Sequence, residues 1–280
     1  MDERLSTTVC YRHPDRATRL RCSECDRPIC TECSHDSAVG QRCPECASPQ
    51  GRYRVVDARR TVVGPPSFAT APVSFTIIGI AAALFVAGFA SPSIEAELLN
   101  RFASANWLIE EGDWWRVFTA AFLHGGIVHI FFNMYVLYIF GPRMEIQVGS
   151  VPFALLYAAS AAGGGAASYL LGPLNQVAVG ASGAIFGLFG AWIYVAFRMR
   201  GTAGGRAMFN QLGVLLLINL ALPLIIPNID WRAHVGGLVT GVLIAALWSQ
   251  FARGHDNVVL RRSVIAATVL VGLVALIILG

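Results

Sequence analysis

Three short runs carry serine, histidine and asparagine side chains within strongly apolar surroundings. His129 and Asn133 are four residues apart in LHGGIVHIFFN, so they share one face if this run is helical. Ser182 lies in the run GASG, and His234 lies in the run AHVGG. A serine beside a histidine can act as a nucleophile with its general base, and neighbouring donors can hold the oxyanion formed in acyl transfer.

The elements that must position these residues are apolar helices. Only 14% of the 280 residues are charged, against about a quarter in soluble domains, and mean hydropathy is +0.57. Nine of the seventeen acidic and eleven of the twenty-one basic residues precede Pro72. Beyond it lie apolar stretches near the ~20 residues that span a bilayer. We predict an all-α polytopic membrane protein with seven spans, at 73–90, 118–140, 151–171, 181–199, 211–227, 234–251 and 263–279.

Arginine placement predicts the orientation of these spans. The connections near Arg143, between Arg198 and Arg206, and between Arg253 and Arg262 are basic, and the opposite loops are poorer in arginine. The positive-inside rule therefore places the N-terminus in the cytoplasm and the C-terminus outside, in what we expect to be a bacterial plasma membrane. Residues 1–50 are polar and cysteine-rich, so no cleavable signal peptide is expected at the start.

The predicted orientation brings the four polar residues to one depth. Spans 2, 4 and 6 all run inward, and His129, Asn133, Ser182 and His234 lie in their early turns. Each has a structural alternative: GASG can be a packing motif, a histidine can bind a carbonyl, and Asn133 can join two helices. The shared depth in the outer leaflet favours catalysis over packing, since polar groups in the membrane are costly. A transporter would more naturally carry interrupted helices and paired carboxylates.

Residues 73–280 resemble the rhomboid family of intramembrane serine proteases. The matching features occur in the family's order: Trp115-Arg116, the LHGG run ending at Asn133, the GASG run, AHVGG, and Gly237-x-x-x-Gly241. The resemblance implies a rhomboid-like bundle of seven helices, a six-helix core with one extra C-terminal helix. It also implies a cavity open to the outside, capped by a mobile loop between spans 5 and 6.

The resemblance implies a catalytic dyad that needs no cofactor. Ser182 would be the nucleophile and His234 its base, with the oxyanion held by His129, Asn133 and the Ser182 N–H. Asp230 is not taken as a triad member. Gly180 and Gly183 would let the substrate approach, and further support would come from Trp115, Arg116, Gly237 and Gly241.

The resemblance also implies substrates, which would be single-span membrane proteins whose helices unravel near small residues. A catalytically silent rhomboid-like chaperone or binding protein is the alternative, although such relatives usually lose the serine or histidine. Two neighbours of the dyad also carry expectations. Phe186 could pack over His234 or serve as an ordinary core aromatic, and Glu145 is expected to pair with an arginine.

All seven cysteines lie in the N-terminal 50 residues, where six form three close pairs and Cys10 is paired with His13. An odd cysteine count and a reducing cytoplasm disfavour disulfides, whereas the spacing is typical of tetrahedral zinc. We predict two structural Zn²⁺ ions held by Cys10, His13, Cys22, Cys25, Cys30, Cys33, Cys43 and Cys46. With every ligand position filled, these sites are expected to be structural, because no position is left for a reactive water.

The N-terminal module resembles a B-box zinc finger. This resemblance implies interleaved sites, with Cys10, His13, Cys30 and Cys33 at one and the other four ligands at the second. Sequential pairing is also sterically possible. We therefore divide the chain into a cytoplasmic zinc module (1–50), a linker (51–72) and a transmembrane protease domain (73–280). The module is expected to bind a protein partner rather than nucleic acid, because its arginines alternate with acidic residues.

Overall fold

The computed structural model describes residues 8–36, 40–47, 65–221, 225, 229–252 and 257–280. The chain divides into two compact units, 1–64 and 65–280. The predicted linker lies mostly outside the described residues, whereas the predicted cap between spans 5 and 6, residues 228–233, is described except for 228.

The first unit consists of short strand pairs around buried cysteines. Strand β1 (Thr8–Val9) pairs antiparallel with β2 (Ala17–Thr18), and β3 (His35–Asp36) pairs with β4 (Gln41–Arg42), which leads into helix α1 (Pro44–Ala47). Ile29 is fully buried among the cysteines. A core this small cannot hold a domain together without further bonds, which is where metal ligation would contribute.

The second unit is a bundle of helices. Its elements are α2 (Pro72–Ala90), α3 (Pro92–Phe102), β5 (Ser104–Ala105), α4 (Asn106–Glu110), α5 (Arg116–Thr119), α6 (Ile127–Val148), α7 (Ser150–Leu171), β6 (Val177–Ala178), α8 (Ser182–Arg198), α9 (Ala203–Ala221), α10 (Trp231–Phe251) and α11 (Val258–Leu279).

Among the described residues of this unit, five helices are long and apolar enough to cross a membrane, namely α2, α6, α7, α10 and α11. Helix α8 is apolar but only 17 residues long, and α9 opens with a polar stretch. A helix covers each of the seven predicted apolar stretches in whole or in part, and the polytopic helical bundle is confirmed.

Several predicted span boundaries were wrong; for example, the second span ends at Val148 instead of 140, and the seventh begins at Val258 instead of 263. The second span does not begin at 118, because α5 and a short 3-10 turn (Ala120–Phe122) precede Gly125 and Gly126, and the long helix begins only at Ile127. Consecutive glycines favour a break that hydropathy does not detect. The fifth span begins eight residues early, at Ala203 instead of 211, because a helix can start in a polar segment.

Helix α8 lies at the centre of the bundle. It packs on both α7 and α10, which also pack on each other, while α11 covers α7 and α9 packs on α8. Helix α2 packs on α6. Gly149, between α6 and α7, has φ +97°, a left-handed conformation that lets the chain turn back at once.

Glu145 joins α2 to α6, and the expectation of an arginine partner was wrong. This carboxylate, 1% exposed, accepts hydrogen bonds from the N–H groups of Val73 and Ser74 at 2.9 and 2.8 Å. The hydroxyls of Ser74 and Ser150 also donate to it, each at 2.7 Å. Because Pro72 begins α2 and the first N–H groups of a helix lack internal acceptors, Glu145 caps α2 from the neighbouring helix.

Candidate active site

Ser182 occupies the first position of α8, directly after its N-cap residue Ala181. The first N–H groups of a helix have no acceptor inside it and carry the positive end of the helix dipole. The Ser182 N–H is therefore available to an external oxyanion. The segment before it is held in place, since the N–H of Gly180 donates to the Ala120 carbonyl at 2.9 Å.

Gly180 brings the backbone before Ser182 against the ring of His129. Its φ is +123°, and a Cβ built at this position would lie 2.6 Å from Nε2 of His129. The absence of a side chain is therefore a condition for the contact. His129, in the first turn of α6, is thereby placed beside the loop that leads to Ser182.

His234 lies in the first turn of α10, and its ring is held by stacking. The rings of His234 and Phe186 are 4.1 Å apart between centroids and 8° from parallel. His234 is 7% exposed, and its Nδ1 has no hydrogen-bond partner in the part of the chain that the structure describes. Of the two roles expected for Phe186, packing on the histidine is therefore the one observed.

The helices that carry Ser182 and His234 touch backbone to backbone. A Cβ on Gly237 would overlap the carbonyl oxygen of Gly183, and one turn further a Cβ on Gly241 would overlap that of Gly187. Gly183 follows Ser182 in sequence and its position lies against the carbonyl of Ala233, the residue before His234. Ser182 and His234 thus lie at the same end of the contact between α8 and α10, next to Gly183 and Ala233.

Two further polar residues surround this region. Asn133 is buried on α6 and its Nδ2 donates to the His129 carbonyl at 2.9 Å, so its amide stays close to the helix that carries it. The ring of His124 lies 5.1 Å from that of His129, centroid to centroid. Both residues lie on the side of the site that α6 provides.

The first loop is fixed by Arg116. The guanidinium donates to the carbonyls of Asn100 and Ala103 at 3.0 and 3.1 Å, and to Asp113 at 2.8 Å. Trp115 is partly exposed and meets Trp114 edge to face. Because β5 pairs with β6, this loop is also tied to the segment that ends at Gly180.

The sequence of this region matches that of known proteins. The sequence model of the Rhomboid domain matches residues 111–251, which include every transmembrane site residue described above. The chain belongs to the rhomboid family.

Several curated rhomboid relatives match the chain. It is 35% identical over 198 residues to "Rhomboid protease GluP" of Bacillus subtilis (strain 168), covering 70% of this chain and 38% of that protein. It is 37% identical over 142 residues to "Putative rhomboid protease YdcA" of the same organism, covering 51% of this chain and 71% of that protein. "Rhomboid-like protease 1" of Toxoplasma gondii is 36% identical over 162 residues, 55% of this chain and 54% of that protein.

The rhomboid chain also carries two groups of ligand atoms in its first unit that could hold metal ions. The first group is Cys10, His13, Cys30 and Cys33, and the second group is Cys22, Cys25, Cys43 and Cys46. Within each group all ligand atoms lie within 4.8 Å of one another. The pairs therefore alternate between the groups along the sequence, as in the interleaved arrangement.

The spacing of these atoms fits zinc. Sulfur ligands of a tetrahedral Zn²⁺ lie about 3.8 Å apart when each Zn–S bond is about 2.3 Å. The Sγ atoms of Cys25 and Cys43 are 3.8 Å apart, and Nδ1 of His13 lies 3.3 Å from Sγ of Cys30. Burial opposes ionisation of the Cys10 thiol, but backbone N–H groups at the sulfur outweigh it and lower its pKa to about 6.

Sequence reasoning missed two features of the rhomboid site. Asp230 caps α10 and accepts a hydrogen bond from the hydroxyl of Ser168 on α7. Asn106 binds the carbonyl of the same Ser168. The signal for the first was present, since an aspartate just before a helix is a common N-cap. Nothing in the sequence indicated that Ser168 would be the partner.

Proposed function

We propose that the chain is an intramembrane serine endopeptidase that cleaves transmembrane segments of other membrane proteins. The observation that carries this proposal is that Ser182 and His234 lie at the same end of the glycine contact between α8 and α10, with His129 against Gly180. The relatives named as proteases support the same activity. Their names do not give the substrates, which we propose from the resemblance to the rhomboid family.

The reaction would begin with attack of Ser182 Oγ on the carbonyl carbon of a peptide bond, while His234 takes the hydroxyl proton. The tetrahedral oxyanion would accept hydrogen bonds from His129, Asn133 and the Ser182 N–H. His234 would then return its proton to the departing amine, leaving an acyl-serine. A water deprotonated by His234 would cleave this ester, release the new carboxyl terminus and restore the serine.

Two structural properties suit this chemistry. The helix dipole of α8 places partial positive charge where the oxyanion forms, and the glycines leave room for the substrate backbone. His234 has no carboxylate on its ring in the described part of the chain, so stacking on Phe186 would limit its rotation instead. A serine–histidine dyad is therefore the catalytic unit that we propose, with no cofactor.

The decisive experiment is cleavage of a single-span reporter in liposomes by the wild type, Ser182→Ala and His234→Ala. We expect the wild type to cut and both variants to be inert while they keep the wild-type unfolding temperature. Equal cleavage by all three proteins would refute the dyad. A wild type that binds the reporter without cutting it, and that no fluorophosphonate labels, would identify a silent binding protein instead.

For the first unit we propose two structural Zn²⁺ ions at the interleaved groups, and a protein partner for the folded module. Zinc would cross-link segments that have almost no apolar core of their own. The test is the metal content of the reduced, purified chain by mass spectrometry. Close to two zinc ions per chain are expected, and a value near zero would refute this assignment.

We further propose that the module lies in the cytoplasm and the C-terminus outside a bacterial plasma membrane, on the basis of the arginine distribution. All seven cysteines belong to the module, so they report its side directly. A membrane-impermeant maleimide should label the chain in permeabilised cells treated with a chelator, and not in intact cells. Labelling of intact cells would reverse the orientation.

A further inference from the structure

A run of polar contacts connects the first loop to the beginning of α10, and the proposed chemistry does not use it. Asn106, 1% exposed, donates from Nδ2 to the carbonyl of Ser168 at 3.0 Å. Ser168, 3% exposed, donates its hydroxyl proton to the carboxylate of Asp230. Three elements distant in sequence are thus joined by hydrogen bonds on the same side of the bundle as the site.

Asp230 also organises the first turn of α10. Its Oδ1 accepts hydrogen bonds from the N–H groups of Arg232 and Ala233 at 3.1 and 3.3 Å. Its backbone carbonyl accepts from the N–H of His234 at 3.3 Å. The carboxylate therefore satisfies N–H groups that a helix start would otherwise leave open, and its charge suits the positive end of the helix.

The position of His234 depends on this turn. Its Nδ1 has no hydrogen-bond partner among the described residues, so the ring is placed by stacking on Phe186 and by the course of its own backbone. The first turn of an uncapped helix frays readily. A fray here would move His234 while leaving Ser182 on α8 in place.

We infer that Asp230 is a positioning residue for the proposed reaction: held by Ser168 of α7, it fixes the first turn of α10 and with it the imidazole of His234. This inference rests on the proposed function, in which His234 is the base. It differs from a catalytic triad, because the carboxylate binds backbone N–H groups and a serine hydroxyl and not the histidine ring.

The chain offers a matched control for the interhelical bond. Ser150, at the other end of α7, also donates its hydroxyl to a carboxylate on a neighbouring helix, that of Glu145, at 2.7 Å. Ser168→Ala and Ser150→Ala thus remove the same kind of bond from the same helix. Only the first of these bonds leads to the site.

The experiment measures kcat and KM for the reporter in liposomes, the rate of fluorophosphonate labelling, and the unfolding temperature. For Asp230→Ala we expect kcat and labelling to fall ~10–100-fold, as for a displacement of about 1 Å. KM should change by less than about threefold, because binding of the substrate is not altered. Asp230→Asn should recover most of kcat, since asparagine caps a helix about as well as aspartate.

Ser168→Ala should lose more kcat than Ser150→Ala at an equal loss of unfolding temperature. This comparison, together with Asp230→Asn, carries the test if Asp230→Ala does not fold. Equal kcat for the two serine variants, or an Asp230→Asn as slow as Asp230→Ala, overturns the inference while the dyad stands. A wild type that neither cleaves nor reacts with the probe overturns the proposed function itself, and the inference with it.

Discussion

Gly180→Ala is expected to displace His129, the proposed oxyanion donor, without touching the proposed dyad. The added Cβ would lie 2.6 Å from Nε2 and 2.7 Å from Cε1 of His129, whereas ordinary carbon contacts are about 3.5 Å or longer. The ring must therefore retreat by about 1 Å. A displacement of this size, or the loss of one oxyanion donor, lowers kcat by ~10²–10³. The φ of +123° adds backbone strain of about 1–3 kcal/mol.

The assay is single-turnover cleavage of the reporter in liposomes, with unfolding temperature measured on the same preparation. Gly79→Ala is the control, because a Cβ there, in α2, meets no atom within 4 Å. It should keep full activity and gain up to about 1 kcal/mol of stability from better helix propensity.

A double-mutant cycle separates the displacement of the ring from general damage. His129→Ala removes the ring that the new methyl group would strike, so Gly180→Ala should cost far less kcat on that background than in the wild type. Equal losses of kcat on both backgrounds would refute the proposed contact. A Gly180→Ala protein with wild-type kcat would refute the role of His129 in the reaction.

Three further outcomes are expected. Glu145→Ala leaves four donors without their acceptor and should lower the free energy of unfolding by at least ~3 kcal/mol. Thermal unfolding in detergent measures this loss, and an unchanged midpoint would contradict the proposed cap on α2. Phe186→Leu removes a stacking partner worth about 0.5–1.5 kcal/mol and should lower kcat up to about tenfold. A Phe186→Leu protein with wild-type kcat would exclude stacking as the restraint on His234. Chelation of the proposed zinc ions should unfold the first unit alone and expose all seven thiols to Ellman's reagent, while the unfolding temperature of the helical unit stays constant. Unfolding of both units together would contradict this expectation.

The sequence alone predicted the helical bundle, and it picked out the polar residues that are candidates for the site. Apolar stretches near the length of a membrane span are a strong signal, and the spacing of His129 and Asn133 placed them on one helix. Gly237 and Gly241 were candidates through the family resemblance, and a repeat of small residues four apart lets the backbones of α8 and α10 meet.

The remaining features depend on which elements become neighbours. Glu145 binds the start of α2, some seventy positions earlier, and hydropathy carries no information about such a contact. The start of α6 was misplaced because apolar residues fill 3-10 turns as readily as helices. Ser168 and Asp230 look like unremarkable surface polar residues until α7 and α10 are known to be adjacent.

The direct contact between α8 and α10 allows the distance between the two helices to vary in one direction only. The Gly183 and Gly187 carbonyls already touch the backbone of the opposite helix, so the two helices can separate but cannot come closer. Lateral compression by a stiff or crowded bilayer would therefore leave the distance between Ser182 and His234, the proposed nucleophile and base, unchanged, whereas a side chain at Gly237 or Gly241 would lengthen it. The distance between Ser182 and His234 therefore has a lower limit, and main-chain atoms alone set this limit.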